Sequence, residues 1–328
     1  MSGIWKDLRE GTPSGVTALC CLVLVLAALP AAASAEIAAR PGLIWDVAAR
    51  APVTRQALEE RLVATDYILL GEKHDNPSHH QLQAEIIQRL VRAGRRPALV
   101  WEMLPRSKQG DIDAHLTKEN PDPDGFAAAV GWDDLGWGDW EAYRPISAAA
   151  MAGRLPHLAG GLDRPDLKAV AQGGLGRLPQ DLAAGFVDRD PLSPPQRQLI
   201  GDAVYEGHCG FVPRAHLGPM ISVQIARDLA LADAIARSAP PPGAVLIAGA
   251  QHARRDAGAP VHLARMRPQA SVLSVGFVEV GRDRRTDPLA LARTGAHDFL
   301  WFTEPGPDKD YCGDLAKRFG KAHKLKSK

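Results

Sequence analysis

The chain has 328 residues, 45% of them hydrophobic and 23% charged. That is enough for one large domain or two modest ones, and too apolar for wholesale disorder. Thirty-nine Lys and Arg against 38 Asp and Glu give a net charge of +1, which argues against a dedicated nucleic-acid binder, because phosphate contacts need a basic excess. Four cysteines are too few for a disulfide scaffold or a cysteine-built zinc array.

The N-terminus reads as a signal peptide over residues 1–35. Lys6 and Arg9 precede an uncharged apolar run over residues 16–29, which is short for a membrane span. Pro30 and then Ala33-Ser34-Ala35 follow, a small-x-small pattern that places cleavage after Ala35; an uncleaved anchor is the alternative. Leu19 and Cys20 precede the two cysteines at 20 and 21, a poor match to a lipid-attachment site. Both alternatives export the body of the chain, to a periplasmic or membrane-associated location. Cys209 and Cys312 then remain, either paired in an oxidising compartment or apart as buried thiols.

Along the mature chain, short apolar runs bounded by turn residues mark strands. Tyr67–Leu70 follows a helix-like stretch, Thr54–Val63. Between it and the next run, Ala98–Trp101, the segment Pro77–Arg92 places Leu82, Ile86, Leu90 and Val91 on one helical face, with Ser78 as N-cap. Leu155–Ala159, Ala244–Ala248, Ser271–Val280 and Asp298–Phe302 complete the strand set. Strands separated by helix-length segments indicate an α/β fold with a mainly parallel β-sheet flanked by helices. The sheet domain is discontinuous, over 36–105 and 240–305. Residues 106–239 form an inserted, mostly helical lobe with one strand near 155–160 and helical patches at Ser107–Leu116, Trp140–Ala152, Pro194–Tyr205 and Gly218–Arg237. Residues 306–328 are a basic tail, read as a solvated end.

Polar groups follow three of these strands. Gly71-Glu72-Lys73-His74-Asp75-Asn76 and the His79-His80 pair follow the first, Glu102 the second, and Gly249 to His252, then Arg254, the third. In an open α/β sheet the carboxyl ends of parallel strands share the edge where ligands bind. Glu72, His74, Glu102 and His252 therefore meet on one rim, with Gly71 and Gly249 allowing tight turns beneath it. Taken singly each is an ordinary solvated loop residue; together they are types that bind metal or move protons. His208-Cys209 with His216 beyond has no specific metal spacing, and a structural role is favoured there.

The three blocks LLGEKHDNPSHHQLQAEII, ALVWEM and AGAQHARRDAG resemble, in order, those of the ChaN-like haem-binding proteins of the Tiki superfamily. Trp140 to Pro145, His208-Cys209 and Gln224 to Asp228 are similar to further blocks, so the resemblance spans about Trp45 to Leu263. It implies an exported or outer-membrane-tethered haem binder in iron uptake, a homodimer sharing haem, and an outer-membrane haem or iron transporter as partner. Haem needs an axial ligand, an apolar slot and a cation for its propionates. Tyr143, beside Trp140 and Arg144, offers all three; His74, His79, His80 and His252 are the imidazole alternatives, with Arg254 a further cation. The wider superfamily implies a second function, a metal-dependent peptidase or esterase-like hydrolase. There Glu72, His74, Glu102 and His252 would be catalytic, and Glu72, His74 and His252 would hold a divalent metal ion. These readings place haem in the lobe and catalysis on the rim.

Overall fold

A computed structural model describes residues 38–183, 192–238, 240–281 and 286–317. The expected signal peptide, the cleavage point after Ala35 and the end of the basic tail lie outside the described residues. Eight strands form one sheet: β1 Ile44–Asp46, β2 Ala51–Val53, β3 Tyr67–Glu72, β4 Ala98–Pro105, β5 His157–Gly161, β6 Ala244–Gly249, β7 Val272–Glu279 and β8 Phe299–Thr303. Their order is β2-β1-β8-β7-β3-β6-β4-β5. The six from β8 to β5 run parallel, while β1 pairs antiparallel with β2 and β8. The fold is therefore α/β with a mostly parallel sheet.

Alternation along the strands sorts the core into two faces. In β3, Ile68 and Leu70 pack with Ile86, Ile87 and Leu90 of the helix Pro77–Arg92, whereas Tyr67 and Leu69 pack with Leu231 and Ile235 of the helix Gly218–Ala236. Both faces are covered, so the strand reads as a continuous apolar run, as parallel strands do. The same alternation carries Glu72, at the end of β3, toward the first face.

Residues 106–239 supply helices to both faces. Trp140–Ala152 joins the core of the first face, and Gly218–Ala236 that of the second. The strand in this segment, β5, pairs in parallel with β4 at the sheet edge. It begins at His157, two residues beyond the expected start at Leu155, because Pro156 precedes the ladder and has no N–H to give it.

Several local details differ from expectation. The helix Pro77–Arg92 is capped by Asn76, whose side chain accepts from the Ser78 N–H at 2.9 Å; Ser78 is thus the donor in the cap. Pro77 occupies the first helical position, which requires no N–H. Helices Pro123–Val130 and Arg164–Gly173 and the three-residue strands β1 and β2 were not anticipated. Among the described residues no helix is long and apolar enough to cross a membrane.

Candidate functional site

Three adjacent parallel strands, β3, β6 and β4, bring the expected rim residues together. Glu72 is buried at the end of β3. Its Oε1 accepts from His74 Nδ1 at 2.8 Å and from the Tyr143 hydroxyl at 2.9 Å. His80 Nε2 lies 3.3 Å from Oε2, off the line of a hydrogen bond, and its ring packs on Tyr143 with centroids 4.0 Å apart. Burial pushes the Glu72 carboxyl up, but His74 and His80 outweigh it and hold the group well below the usual carboxylate range.

Glu102 is the second buried anion. Its Oε2 accepts from the Gly249 N–H at 2.7 Å, its Oε1 pairs with Arg227, and His252 Nε2 is 3.3 Å from that same oxygen. His252 in turn donates from Nδ1 to Asp228 at 2.6 Å. Burial alone would lower the His252 imidazole; the carboxylates of Glu102 and Asp228 overcome it and raise the group to about 9. Burial likewise opposes the charge on His74, and Glu102 and Glu72 raise it. Glu102 is held well below its usual range, because His252, His74 and Arg227 outweigh its burial. The carboxyl groups of Glu72, Glu102 and Asp228 thus face the imidazoles of His74 and His252 and the Arg227 guanidinium in the sheet edge.

Two glycines make this packing fit, by space and not by turn geometry. Neither Gly71 nor Gly249 has a positive φ. A Cβ on Gly249 would sit 2.8 Å from His74 Nε2, and one on Gly71 2.9 Å from the Ala250 backbone. The expectation of tight turns at these glycines is replaced by close approach.

The expected separation of lobe and rim is also replaced. Tyr143 is only 1% exposed, and burial together with Glu72 pushes its phenol far above the ordinary value. It is part of the rim network, and a phenolate facing iron would break its bond to Glu72. Arg144 points elsewhere, half-buried and paired with Asp124 at 2.7 and 3.0 Å, so the Tyr143–Arg144 pair does not form a joint haem site. His79 is spent on structure: its Nδ1 accepts from the Lys73 N–H and its Nε2 donates to Thr303, both at 2.9 Å. Burial lowers it to about 4. His80 and His252 are enclosed as described, and His74 Nε2 abuts Gly249.

Nor does the rim fit the metal set Glu72, His74 and His252. Among the described residues no three or more His, Cys, Asp or Glu side chains are arranged to hold a metal ion. Arg227 on Glu102 supplies the positive charge that a metal would bring, and both imidazoles give Nδ1 to carboxylates. The hydrolase alternative is not favoured by this arrangement, which shares protons among fixed internal partners.

Of the expected cofactor contacts, Arg254 lines an open cleft. It is held bidentately by Asp256 at 2.8 and 2.7 Å. The cleft, of about 180 Å³, is walled by Leu199, Ile200, Ala203 and Val204 of the helix Pro194–Gly207, with His208, Gln224, Asp228, Gln251 and Arg254 as polar lining. His208 Nδ1 donates to the Val204 carbonyl at 2.7 Å, which turns Nε2 into the free acceptor nitrogen. Sequence reasoning set His208 aside because its spacing to other ligands is unspecific; its position four residues after Val204, at a helix end, was the available signal. Cys209 and Cys312 are joined in a disulfide.

A family model described as haem-binding uptake, Tiki superfamily, ChaN matches residues 58–263. Among solved structures, the chain is similar to ChaN of Campylobacter jejuni, described with cofacial haem binding, at 20% identity and a TM-score of 0.64, covering 79% of this chain and 95% of that one. The type III effector HopBA1 is matched at 12% identity and a TM-score of 0.40, over 84% of this chain and 100% of that one. An erythromycin esterase in an open conformation is matched at 16% identity and a TM-score of 0.37, over 69% of this chain and 73% of that one. No curated protein matches the chain. The first likeness supports the fold, the other two are too loose to support an argument, and the family match covers more than half of the chain: the chain belongs to the haem-binding uptake family of the Tiki superfamily, ChaN.

Proposed function

We propose that this chain takes haem as cargo in the cleft walled by the helix Pro194–Gly207, with His208 as the protein ligand to iron. The observation that carries this reading is the bond from His208 Nδ1 to the Val204 carbonyl. Metal-ligating histidines commonly donate their second nitrogen to a carbonyl or carboxylate, which fixes the ring and its tautomer. The cleft supplies a further requirement of a haem site, an apolar wall, and Arg254 on its lining is already held by Asp256. At about 180 Å³ it covers part of a macrocycle. Leu199, 37% exposed at the cleft, and Phe211, 45% exposed three residues past His208, offer apolar surface for the remainder. Covering of that surface by a second protomer would make the binding unit a homodimer.

We assign the protein to haem or iron uptake, exported by its N-terminal signal, with an outer-membrane haem or iron transporter as the partner that receives or delivers the cargo. The family supports haem as the ligand, and the sequence pattern of residues 1–35 supports export. The test is a titration of the mature protein with hemin. A saturable Soret shift at low stoichiometry is expected; a change no larger than that given by an unrelated protein would overturn the reading.

A further inference from the structure

The chain beyond β8 runs along the site edge. The Asn76 side chain donates to the Glu304 carbonyl at 3.1 Å. The Gly306 N–H donates to Glu279 at 2.7 Å, and the same carboxylate receives Asn76 and Lys73, each at 2.9 Å. Farther on, Lys309 Nζ lies 3.4 Å from Asp75, and the Lys73 ammonium sits 5.6 Å from the Tyr311 ring centroid. Cys312 then meets Cys209 in the disulfide, with Cα atoms 5.7 Å apart across a separation of 103 residues. The segment Glu304–Cys312 therefore crosses the loop that follows β3 and ends covalently beside His208.

The turn it reaches has reason to need an anchor. Cys209 and Gly210 both adopt left-handed φ, +52° and +69°. Glycine takes that conformation freely, while a residue with a Cβ is disfavoured there. The backbone bonds closing the turn are local: Cys209 N–H to Glu206, Gly210 N–H to Tyr205 and Phe211 N–H to His208. The disulfide adds a tie to a distant part of the chain. It acts on the residue directly after His208, whose ring orientation decides where Nε2 points.

We infer that Glu304–Cys312 is a strap whose disulfide fixes His208 in its haem-binding pose, so that Cys312 is a positioning residue for the cargo site. The inference rests on the assignment of His208 as iron ligand. It adds that a residue remote in sequence controls ligand geometry, and that the loop carrying Lys73, Asp75 and Asn76 is held by the same strap.

The test compares hemin binding by the wild type, Cys312→Ser, His208→Ala and the double variant. Cys312→Ser should raise the hemin Kd about tenfold, in the range seen when a group orienting a metal ligand is removed. It should also move the ferric spectrum toward that of His208→Ala, and add nothing in the His208→Ala background. An unchanged Kd, or an effect that adds fully in the double variant, overturns the strap. A second measurement needs no haem and no variant. Amide exchange across residues 207–213 of the apo protein should speed up when a water-soluble phosphine reduces the disulfide, while Gly218–Ala236 keeps its protection. Unchanged exchange in 207–213 overturns the strap even if the wild type takes hemin. If His208→Ala binds hemin as the wild type does, the ligand assignment fails, and the exchange result still decides whether the disulfide orders the turn.

Discussion

Tyr143 donates its hydroxyl to the Glu72 carboxylate at 2.9 Å, tying the helix Trp140–Ala152 to the end of β3 across 71 residues of chain. This bond merges the two places where the residue pattern put function. Removing it tests whether Tyr143 is structural. Tyr143→Phe keeps the ring on His80 and loses the hydroxyl, so stability should fall by about 1.5–3 kcal/mol, as for a hydrogen bond to a charged group. Urea unfolding measures the loss, and the hemin spectrum should stay that of the wild type. A changed spectrum with unchanged stability would place Tyr143 on the iron.

Glu102 balances Arg227 and His252 inside the sheet edge. Glu102→Gln removes the shared anion and leaves two cations facing each other in a buried setting. Breaking a buried pair on one side costs about 3–5 kcal/mol. The double replacement of Glu102 by Gln and Arg227 by Met should recover part of that loss, which paired urea melts can show. Equal losses in the single and double variants would mean that the pair is not what the single substitution breaks.

The buried imidazoles predict a stability maximum near pH 6.5. His252 is raised to about 9, so its contribution is fully present below the ordinary histidine value and is lost as pH rises through 9. His79, His262 and His297 are lowered to about 4, and His157 to about 3, chiefly by burial. Their contribution is present above about 6.5 and is lost as pH falls through 4. Four groups act on the acid side, joined by the depressed Glu72 and Glu102. The acid flank of a plot of urea midpoint against pH should therefore be the steeper. A midpoint that keeps rising from pH 7 to 9 would contradict the His252 environment.

Gly249 has no room for a side chain. Gly249→Ala would bring a methyl to 2.8 Å from His74 Nε2 and 3.6 Å from Glu102, forcing His74 away from Glu72. Overpacking of this kind costs about 1–3 kcal/mol. A melt of Gly249→Ala alone and with His74→Ala tests the cause, since His74→Ala clears the space. If the second substitution does not reduce the penalty of the first, the contact with His74 is not its source.

The strands that carry the rim were legible because parallel strands covered on both faces are continuous apolar runs, and the polar residues after them had to share one edge. The helix Trp140–Ala152 was legible from its spacing, but its partner was not, since a hydrogen bond across 71 residues leaves no local pattern. Strands β1 and β2 are too short to show a period, and Pro52 within β2 reads locally as a break. The helix Pro123–Val130 opens with Pro123 and Gly125, which mask the strong helix preference of the alanines that follow, and it is held by Phe126 and Val130 in the core. The disulfide was left open because spacing cannot choose between a bond and two thiols. His208 was the hardest to see: its claim lies in which nitrogen is free, and only the approach of the Val204 carbonyl decides that.

Under the proposed function haem is held by His208 in the cleft and not by the buried imidazoles of the rim. Hemin titration of His208→Ala beside His74→Ala, followed at the Soret band, tests it most directly. His208→Ala should weaken binding by about tenfold or more, the effect expected on loss of a metal ligand's hold, and alter the ferric ligand bands, while His74→Ala should bind as the wild type does. Hemin binding unchanged in His208→Ala and lost in His74→Ala would contradict it.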